Sequence, residues 1–523
     1  VRGLTSTPST ATFTTGANGA AAAHSLDPRA PLNGVAPQNA GFSRLPALPY
    51  RRSMRWQRLL SVGSEASTLP LGRLLEARGL RQPAGWLLWR LGCVLGCKLE
   101  RKPAWVVSLH VSLLLSLLVS TGCTTFYGKG IQYDIPHQYA AGSPEFMRNL
   151  GSLVEPGILL SNAVTTLLNG DQIFPAMLET IRSAQRSICL ETYIYWSGQI
   201  GQQFADALIE RARAGVKVHV LIDWIGSRHL DFQLLEKMRA AGVQVERYNP
   251  LVWYAFTRLN HRDHRKLLIV DGRVGFTGGA GIADQWQGNA RNPSEWRDSM
   301  FKLEGPAVAQ MQAAFMDNWI KTTGRVLDGD DYFPPLEPAG TYPVQVFKSS
   351  PREGTEDIRM MYLLCIAAAR HHIRLAASYY VPDKLTTREF LEARKRGVEV
   401  EIIVPGAKTD ARIVKHASRG RWGPLLKAGV RIYEYQPTMF HCKQMIVDDV
   451  FVSVGSANFG NRSFRLNDEA NMNVYSREFA LEQIRIFEED KTRCREVTYA
   501  DWKRRSLYKR FMELVTAPFR SQM

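Results

Sequence analysis

Two short runs of this chain carry the same three reactive side chains at the same spacing. The first is His264-Arg265-Lys266-Leu267-Leu268-Ile269-Val270-Asp271, and the second is His441-Cys442-Lys443-Gln444-Met445-Ile446-Val447-Asp448. In an extended strand residues i and i+2 share a face, so each run offers an imidazole and an ammonium side by side, while Arg265 and Cys442 point away. A single triplet of this kind arises by accident in roughly a few per cent of chains this long, and two at matching places do not. Imidazoles can serve as nucleophile and general acid, and lysines can neutralise non-bridging oxygens. The pattern therefore suits displacement at phosphorus, with no metal and no cofactor expected because the ammonium groups supply the positive charge. Asp271 and Asp448 complete the two motifs, but Gly272 and Asp449 follow them as turn signals, which favours structural roles for both acids.

Further polar residues follow each triplet. After His441 come Ser456 and Asn458, in Gly-Ser-Ala-Asn, where amides and short polar side chains can surround an anion. The corresponding places after His264 are Gly279 and Gly281. An acid on the far nitrogen of each histidine would fix its tautomer and stabilise the imidazolium. Asp298 is the candidate in the first run and Glu469 in the second, each in the half that holds its own histidine. His261 reads as a turn residue and Cys442 as a buried thiol. Tyr193, Tyr195, Trp196, Tyr379 and Tyr380 divide between core packing and the lining of a pocket.

The elements that must position these residues are themselves repeated. Glu-Arg-Ala-Arg-Ala-Gly at 210–215 leads into an apolar strand, and Glu-Ala-Arg-Lys-Arg-Gly at 392–397 does the same. Residues 240–245 likewise match 427–432, and 188–195 match 373–380. Strands alternating with helices at this spacing predict α/β layers in two related halves, 157–325 and 345–500, joined by a turn-rich linker.

Composition bounds the rest. The chain has 523 residues and a net charge of +17, but residues 1–130 hold 15 basic and 4 acidic side chains, which leaves only +6 for the remainder. A body of that modest charge argues against nucleic acid as a partner. Seven scattered cysteines predict neither a disulfide scaffold nor a structural metal site. Residues 1–84 read as a low-complexity, disordered head, and residues 1–53, with no Met before Met54, admit an origin outside the natural protein. Residues 85–125 form an apolar segment. Within it, 104–122 run nineteen positions without a formal charge, about 28 Å as a helix against a hydrocarbon core of about 30 Å. Three readings are open: a retained anchor with its basic N-terminal flank in the cytoplasm, a lipoprotein signal ending at Cys123, or a buried helix. The tail, 501–523, sets Tyr508, Phe511, Met512, Val515 and Phe519 at helical spacing beside Lys503, Arg504, Arg505, Lys509 and Arg510. Such a helix can lie on an anionic leaflet or cap the domain.

On the two HxKxxxxD motifs, Gly-Ser-Ala-Asn at 455–458, Thr-Gly-Gly at 277–279 and the run from Trp296-Arg297-Asp298 to Val308, the chain resembles the phospholipase D superfamily, in its bacterial cardiolipin synthase branch. The resemblance implies two pseudo-symmetric α/β/α sandwich halves of the phospholipase D type, preceded by the head and one apolar helix. It also implies transfer of a phosphatidyl group between two phosphatidylglycerol molecules through a phosphohistidine, at the bacterial inner membrane. His264 would be the nucleophile and His441 the acid. Lys266, Lys443, Asn458, Ser456 and Gly279 would surround the phosphate. Gly281 departs from the pattern, since many members carry Asn there. Hydrolysis of a phosphodiester, as by a phospholipase D or a nuclease, and weak lipid binding without turnover remain as rivals. The acceptor, the oligomeric state and the side of the membrane stay open.

Overall fold

The strands of the first half are β1 (Leu159–Leu168), β2 (Ser187–Thr192), β3 (Lys217–Asp223), β4 (Gln244–Tyr248), β5 (Arg262–Asp263), β6 (Lys266–Val270), β7 (Val274–Gly278) and β8 (Ser299–Glu304). Those of the second are β9 (Tyr342–Ser349), β10 (His372–Ala377), β11 (Tyr380–Val381), β12 (Glu399–Pro405), β13 (Arg431–Tyr435), β14 (Lys443–Val447), β15 (Phe451–Gly455), β16 (Phe459–Gly460), β17 (Asn467–Tyr475) and β18 (Cys494–Val497). They come from a computed structural model that describes residues 135–250, 260–350 and 356–523, all within one compact unit. The head, the 104–122 segment and Cys123 lie outside the described residues. Among the described residues no helix is long and apolar enough to cross a membrane.

One sheet runs through both halves, in the order β18-β13-β12-β10-β14-β15-β17-β9-β1-β8-β7-β6-β2-β3-β4. Read outward from the antiparallel β1–β9 pair, the first half gives β8, β7, β6, β2, β3, β4, and the second gives β17, β15, β14, β10, β12, β13. The orders correspond strand for strand, so the sequence duplication is a structural one and its halves meet at β1 and β9.

Both faces of the sheet are covered, so β2, β6, β14 and β15 are buried at every position, polar residues such as Glu191, Gln444 and Ser453 included. Alternation divides their side chains between two layers. Leu268 and Val270 of β6 enter a core private to the first half, while Leu267 and Ile269 enter a core shared with Ile446, Val452 and Met472 of the second. The Val308–Thr323 and Arg477–Thr492 helices supply much of that shared layer through Phe315, Trp319, Phe479 and Phe487. Matching glycines end the matching helices: Gly215 and Gly397 stand at φ 90° and 89°, a conformation that other residues rarely adopt. An N-terminal helix, Pro144–Leu153, is capped by Ser143 and packs Phe146 and Leu150 into the core of the second half.

Candidate active site

The topology brings each motif to the junction of the halves. β5 pairs in parallel with β17 of the other half, Asp263 opposite Asp468, and the His264 amide donates to the Asp468 carbonyl at 2.9 Å. The next residue of β17 is Glu469, whose Oε2 lies 2.9 Å from His264 Nδ1. The second half mirrors this. Arg297 bridges in parallel to Phe440, the His441 amide donates to the Arg297 carbonyl at 2.7 Å, and Asp298 Oδ2 lies 2.7 Å from His441 Nδ1. Each histidine is therefore held by an acid from the opposite half. This corrects the expectation that Asp298 serves His264 and Glu469 serves His441. The parallel bridges carry the strands bearing the acids across the junction, and sequence proximity says nothing about that crossing.

All four groups are buried. Burial pushes both acids up, but for each the neighbouring histidine and lysine and the hydrogen bonds it accepts outweigh that, so both lie below the ordinary carboxylate value. Burial, against the pull of Glu469, lowers His264 to about 4. His441 is lowered too, by burial and then by Lys443, whose Nζ stands 3.0 Å from Nδ1. With Nδ1–H donating to a carboxylate, Nε2 is the nitrogen of each ring left for a substrate, and at His441 it also lies 3.4 Å from Lys443 Nζ. Lys266 Nζ donates to the His264 carbonyl at 2.8 Å and Lys443 Nζ to that of His441 at 2.6 Å. Burial and then the charge of Lys443 bring Lys266 down to about 7.

His264, Lys266, His441 and Asn458 line one cavity of about 320 Å³, together with Tyr193, Trp286, Trp296, Tyr379, Arg262 and Arg462. Tyr193 stands 5.2 Å, ring to ring, from His264, and Trp286 and Trp296 each stand 5.4 Å from His441. Tyr195 and Tyr380 belong to the core, and Trp196 lines a separate groove beside Asp284. Cys442 points into the shared core and His261 bonds the Leu466 carbonyl at 3.1 Å.

Asp271 and Asp448 do not reach this cavity. They stand at the far ends of β6 and β14, five strand residues or about 17 Å beyond the lysine end. Asp271 sits at φ 54° and accepts from the amides of Gln185, Arg186 and Ser187 at 2.8 to 3.2 Å. Asp448 sits at φ 48° and accepts from Arg370, His371 and His372 at 2.6 to 2.8 Å. Grouping them with the reactive residues is corrected in this respect: each carboxylate fastens the start of the neighbouring strand, β2 or β10.

The small residues divide likewise. Asn458 lines the cavity, its Oδ1 accepting from Ser378 Oγ at 2.6 Å. Ser456 is turned toward an acid instead, donating to Glu469 Oε2 at 2.6 Å. Gly279 gives its amide to the Ser299 carbonyl, and a Cβ there would stand 2.1 Å from Asp298 Oδ1. It thus makes room for a carboxylate and has no amide left for a phosphate. At Gly281 a Cβ would meet Ile194 at 2.9 Å and the Trp286 ring at 3.3 Å, so an aromatic ring occupies the space an Asn would need. Trp286 is the residue that sequence reasoning missed. Its Nε1 donates to Asp298 Oδ2 at 2.8 Å, and no repeat or spacing marks it. Nor were Arg262, Arg462 and Asp410 foreseen at the cavity, although Arg262 stands two residues before His264 and Arg462 four after Asn458.

Comparison with known proteins agrees with this architecture. The fold is that of phosphatidylserine synthase from Haemophilus influenzae Rd KW20, with a TM-score of 0.56 at 15% identity over 72% of this chain and 96% of that one. The doubled sheet and paired histidine motifs are those of a PLD-like protein, as the family match shows. The family model described as "Cardiolipin synthase, PLD-like domain" matches residues 177–319 and 362–491, one stretch in each half, and the chain belongs to this family. It is 36% identical over 357 residues to cardiolipin synthase 1 of Bacillus cereus, covering 66% of this chain and 70% of that protein. With the major cardiolipin synthase ClsA of Bacillus subtilis the identity is 35% over 358 residues, 68% and 74% of the two chains.

Proposed function

We propose that the protein is a phosphatidyltransferase of the cardiolipin synthase type, joining two phosphatidylglycerol molecules with release of glycerol. The observation that carries this reading is the reciprocal arrangement, in which two histidines, each held by the other half's acid, open on one cavity. In the first step His264 Nε2 attacks phosphorus. A P–N bond forms, and the P–O bond to glycerol breaks as His441 Nε2 gives its proton to the leaving oxygen. In the second, His441 takes the proton of the incoming phosphatidylglycerol hydroxyl, whose oxygen displaces His264. Lys266, Lys443 and Asn458 stabilise the charge on the non-bridging oxygens. A pKa of about 4 keeps His264 neutral and nucleophilic at pH 7. His441 gains its proton as the phosphate anion enters and offsets the charge of Lys443.

In this reading 157–325 and 345–500 are the two halves, and 104–122 holds them to the inner membrane where both substrates lie. The purified full chain, given phosphatidylglycerol as sole lipid in mixed micelles, should yield cardiolipin and glycerol on thin-layer chromatography. Phosphatidic acid instead would make it a hydrolase.

A further inference from the structure

The last helix, Leu507–Thr516, is turned the opposite way from an ordinary surface helix. Its buried residues are the polar Glu513 and Thr516, and its exposed ones include the apolar Leu507, Tyr508, Phe511, Leu514 and Val515, with Leu507 80% and Leu514 71% exposed. Glu513 is paired with Arg505 at 2.8 Å and Thr516 donates to the Met512 carbonyl of its own helix at 2.8 Å, so both are satisfied where this side packs against the Arg412–Arg419 helix. Phe519, on the turn that follows, and Ile413, on the neighbouring Arg412–Arg419 helix, are 54% and 58% exposed. A face of this kind in water calls for a cover.

Charge indicates which cover. Residues 501–523 hold six basic and two acidic side chains. Lys503, Arg504, Lys509 and Arg510 are exposed here, and Lys408 and Arg412 are exposed on and before the adjoining helix. Of the two acids, Glu513 is buried against Arg505 and Asp501 serves its own helix cap. Apolar side chains bordered by unneutralised cations match a lipid surface with anionic headgroups.

This surface is also tied to the rim of the cavity. Asp410, at the rim, precedes the Arg412–Arg419 helix by two residues. Arg462, on the cavity wall, donates its amide to the Met523 carbonyl at 2.9 Å and its Nε to that of Gln522 at 3.1 Å. Arg520 in turn bonds the Ala417 carbonyl at 3.1 Å.

We propose that the outward face of Leu507–Phe519, with Ile413, docks on an anionic bilayer and sets the cavity mouth at the headgroup level, where a lipid can enter without leaving the membrane. This deepens the phosphatidyltransferase reading and rests on it only for the purpose of the docking.

The full chain is mixed with phosphatidylcholine vesicles, with or without phosphatidylglycerol, that contain a lipid photoactivatable on its acyl chain, and the labelled peptides are mapped by mass spectrometry. Label on 507–519 that rises at least fivefold with phosphatidylglycerol is expected. Label absent from 507–519, or equal on both vesicles, overturns the proposal. In a second measurement the Phe511→Ser/Leu514→Ser variant should lose at least tenfold in turnover of vesicle phosphatidylglycerol and keep its turnover of a short-chain, monomeric phosphatidylglycerol. Equal rates for variant and parent on vesicles overturn the docking role. Dimers of the parent that fall apart in the variant would assign the face to a second copy and overturn it as well. Inactivity of the parent on both substrates would remove the transferase reading while leaving the labelling result to decide the docking.

Discussion

The acid that holds His264 and the acid that holds His441 are supported in different ways. Glu469 accepts from Ser456 and Ser463, each at 2.6 Å, and from Asn467 at 3.3 Å, all short polar side chains of the second half. Asp298 accepts from the Trp286 indole at 2.8 Å and the Ser299 amide at 2.9 Å, with glycines at 279 and 281 where the other half has Ser456 and Asn458. The duplication has thus kept the reacting groups and the strand order while the supporting side chains diverged. His441 has two tryptophan rings on one side, each at 5.4 Å and 4.5 Å from one another, whereas His264 has a tyrosine ring at 5.2 Å. In the proposed mechanism the two imidazoles take different roles, and unlike surroundings serve that division, since environment is what separates a nucleophile from an acid.

The strongest way to break this comparison is to remove either histidine. His264→Ala and His441→Ala should each lower turnover by about 10³-fold or more, with circular dichroism and thermal midpoint close to the parent. Full activity in either variant would sink the two-histidine account. The crossed pairing is tested next. Glu469→Gln should slow formation of the phosphoenzyme about 10²- to 10⁴-fold through His264. Asp298→Asn should slow departure of a poor leaving group to a similar degree and spare a good one. If these two assignments came out exchanged, each acid would serve its own half after all.

Trp286→Phe removes one charge-assisted hydrogen bond, worth about 1.5 to 3 kcal/mol, and should cost roughly 10- to 100-fold in the His441-dependent step. Gly281→Asn installs the side chain that the family resemblance implies but meets Ile194 and Trp286, so it should destabilise the fold by about 1 to 3 kcal/mol without raising activity. In pH profiles, kcat/KM should fall below about 4 as His264 protonates, and fall above about 7 as Lys266 loses its charge in the free enzyme. Lys266→Arg should shift the alkaline limb upward. The smallest effect on chemistry is expected from Asp448→Ala. It strips three amides of their acceptor and should lower stability by about 1 to 3 kcal/mol in chemical denaturation while leaving the specific activity of folded protein nearly intact.

The motifs and the duplication were legible because they are written as local spacing: HxKxxxxD, a helix end, a glycine, an apolar strand. The crossed acids were not, since which half supplies Glu469 depends on β5 pairing with β17, a contact between residues some two hundred positions apart. Trp286 was hidden for a related reason. It replaces the serine of the other repeat from a different place in the chain, so aligning the halves leaves only a glycine to see. The tail was legible as an amphipathic pattern, but its periodicity fits either face inward. Packing against the Arg412–Arg419 helix buries Glu513 and Thr516 and so turns the polar side to the protein. At the two terminal aspartates the turn signal already favoured a structural role, and the hydrogen-bonded amides supply its physical content.

The central claim, that the two histidines divide the chemistry with His264 as nucleophile, is tested most directly with a phosphatidyl ester of p-nitrophenol, whose leaving group needs no acid. Rapid mixing with His441→Ala should release about one equivalent of nitrophenol in a burst and leave the phosphatidyl group on His264, detected by mass spectrometry, while His264→Ala gives no burst. A burst from His264→Ala, with the label on His441, would contradict the assignment.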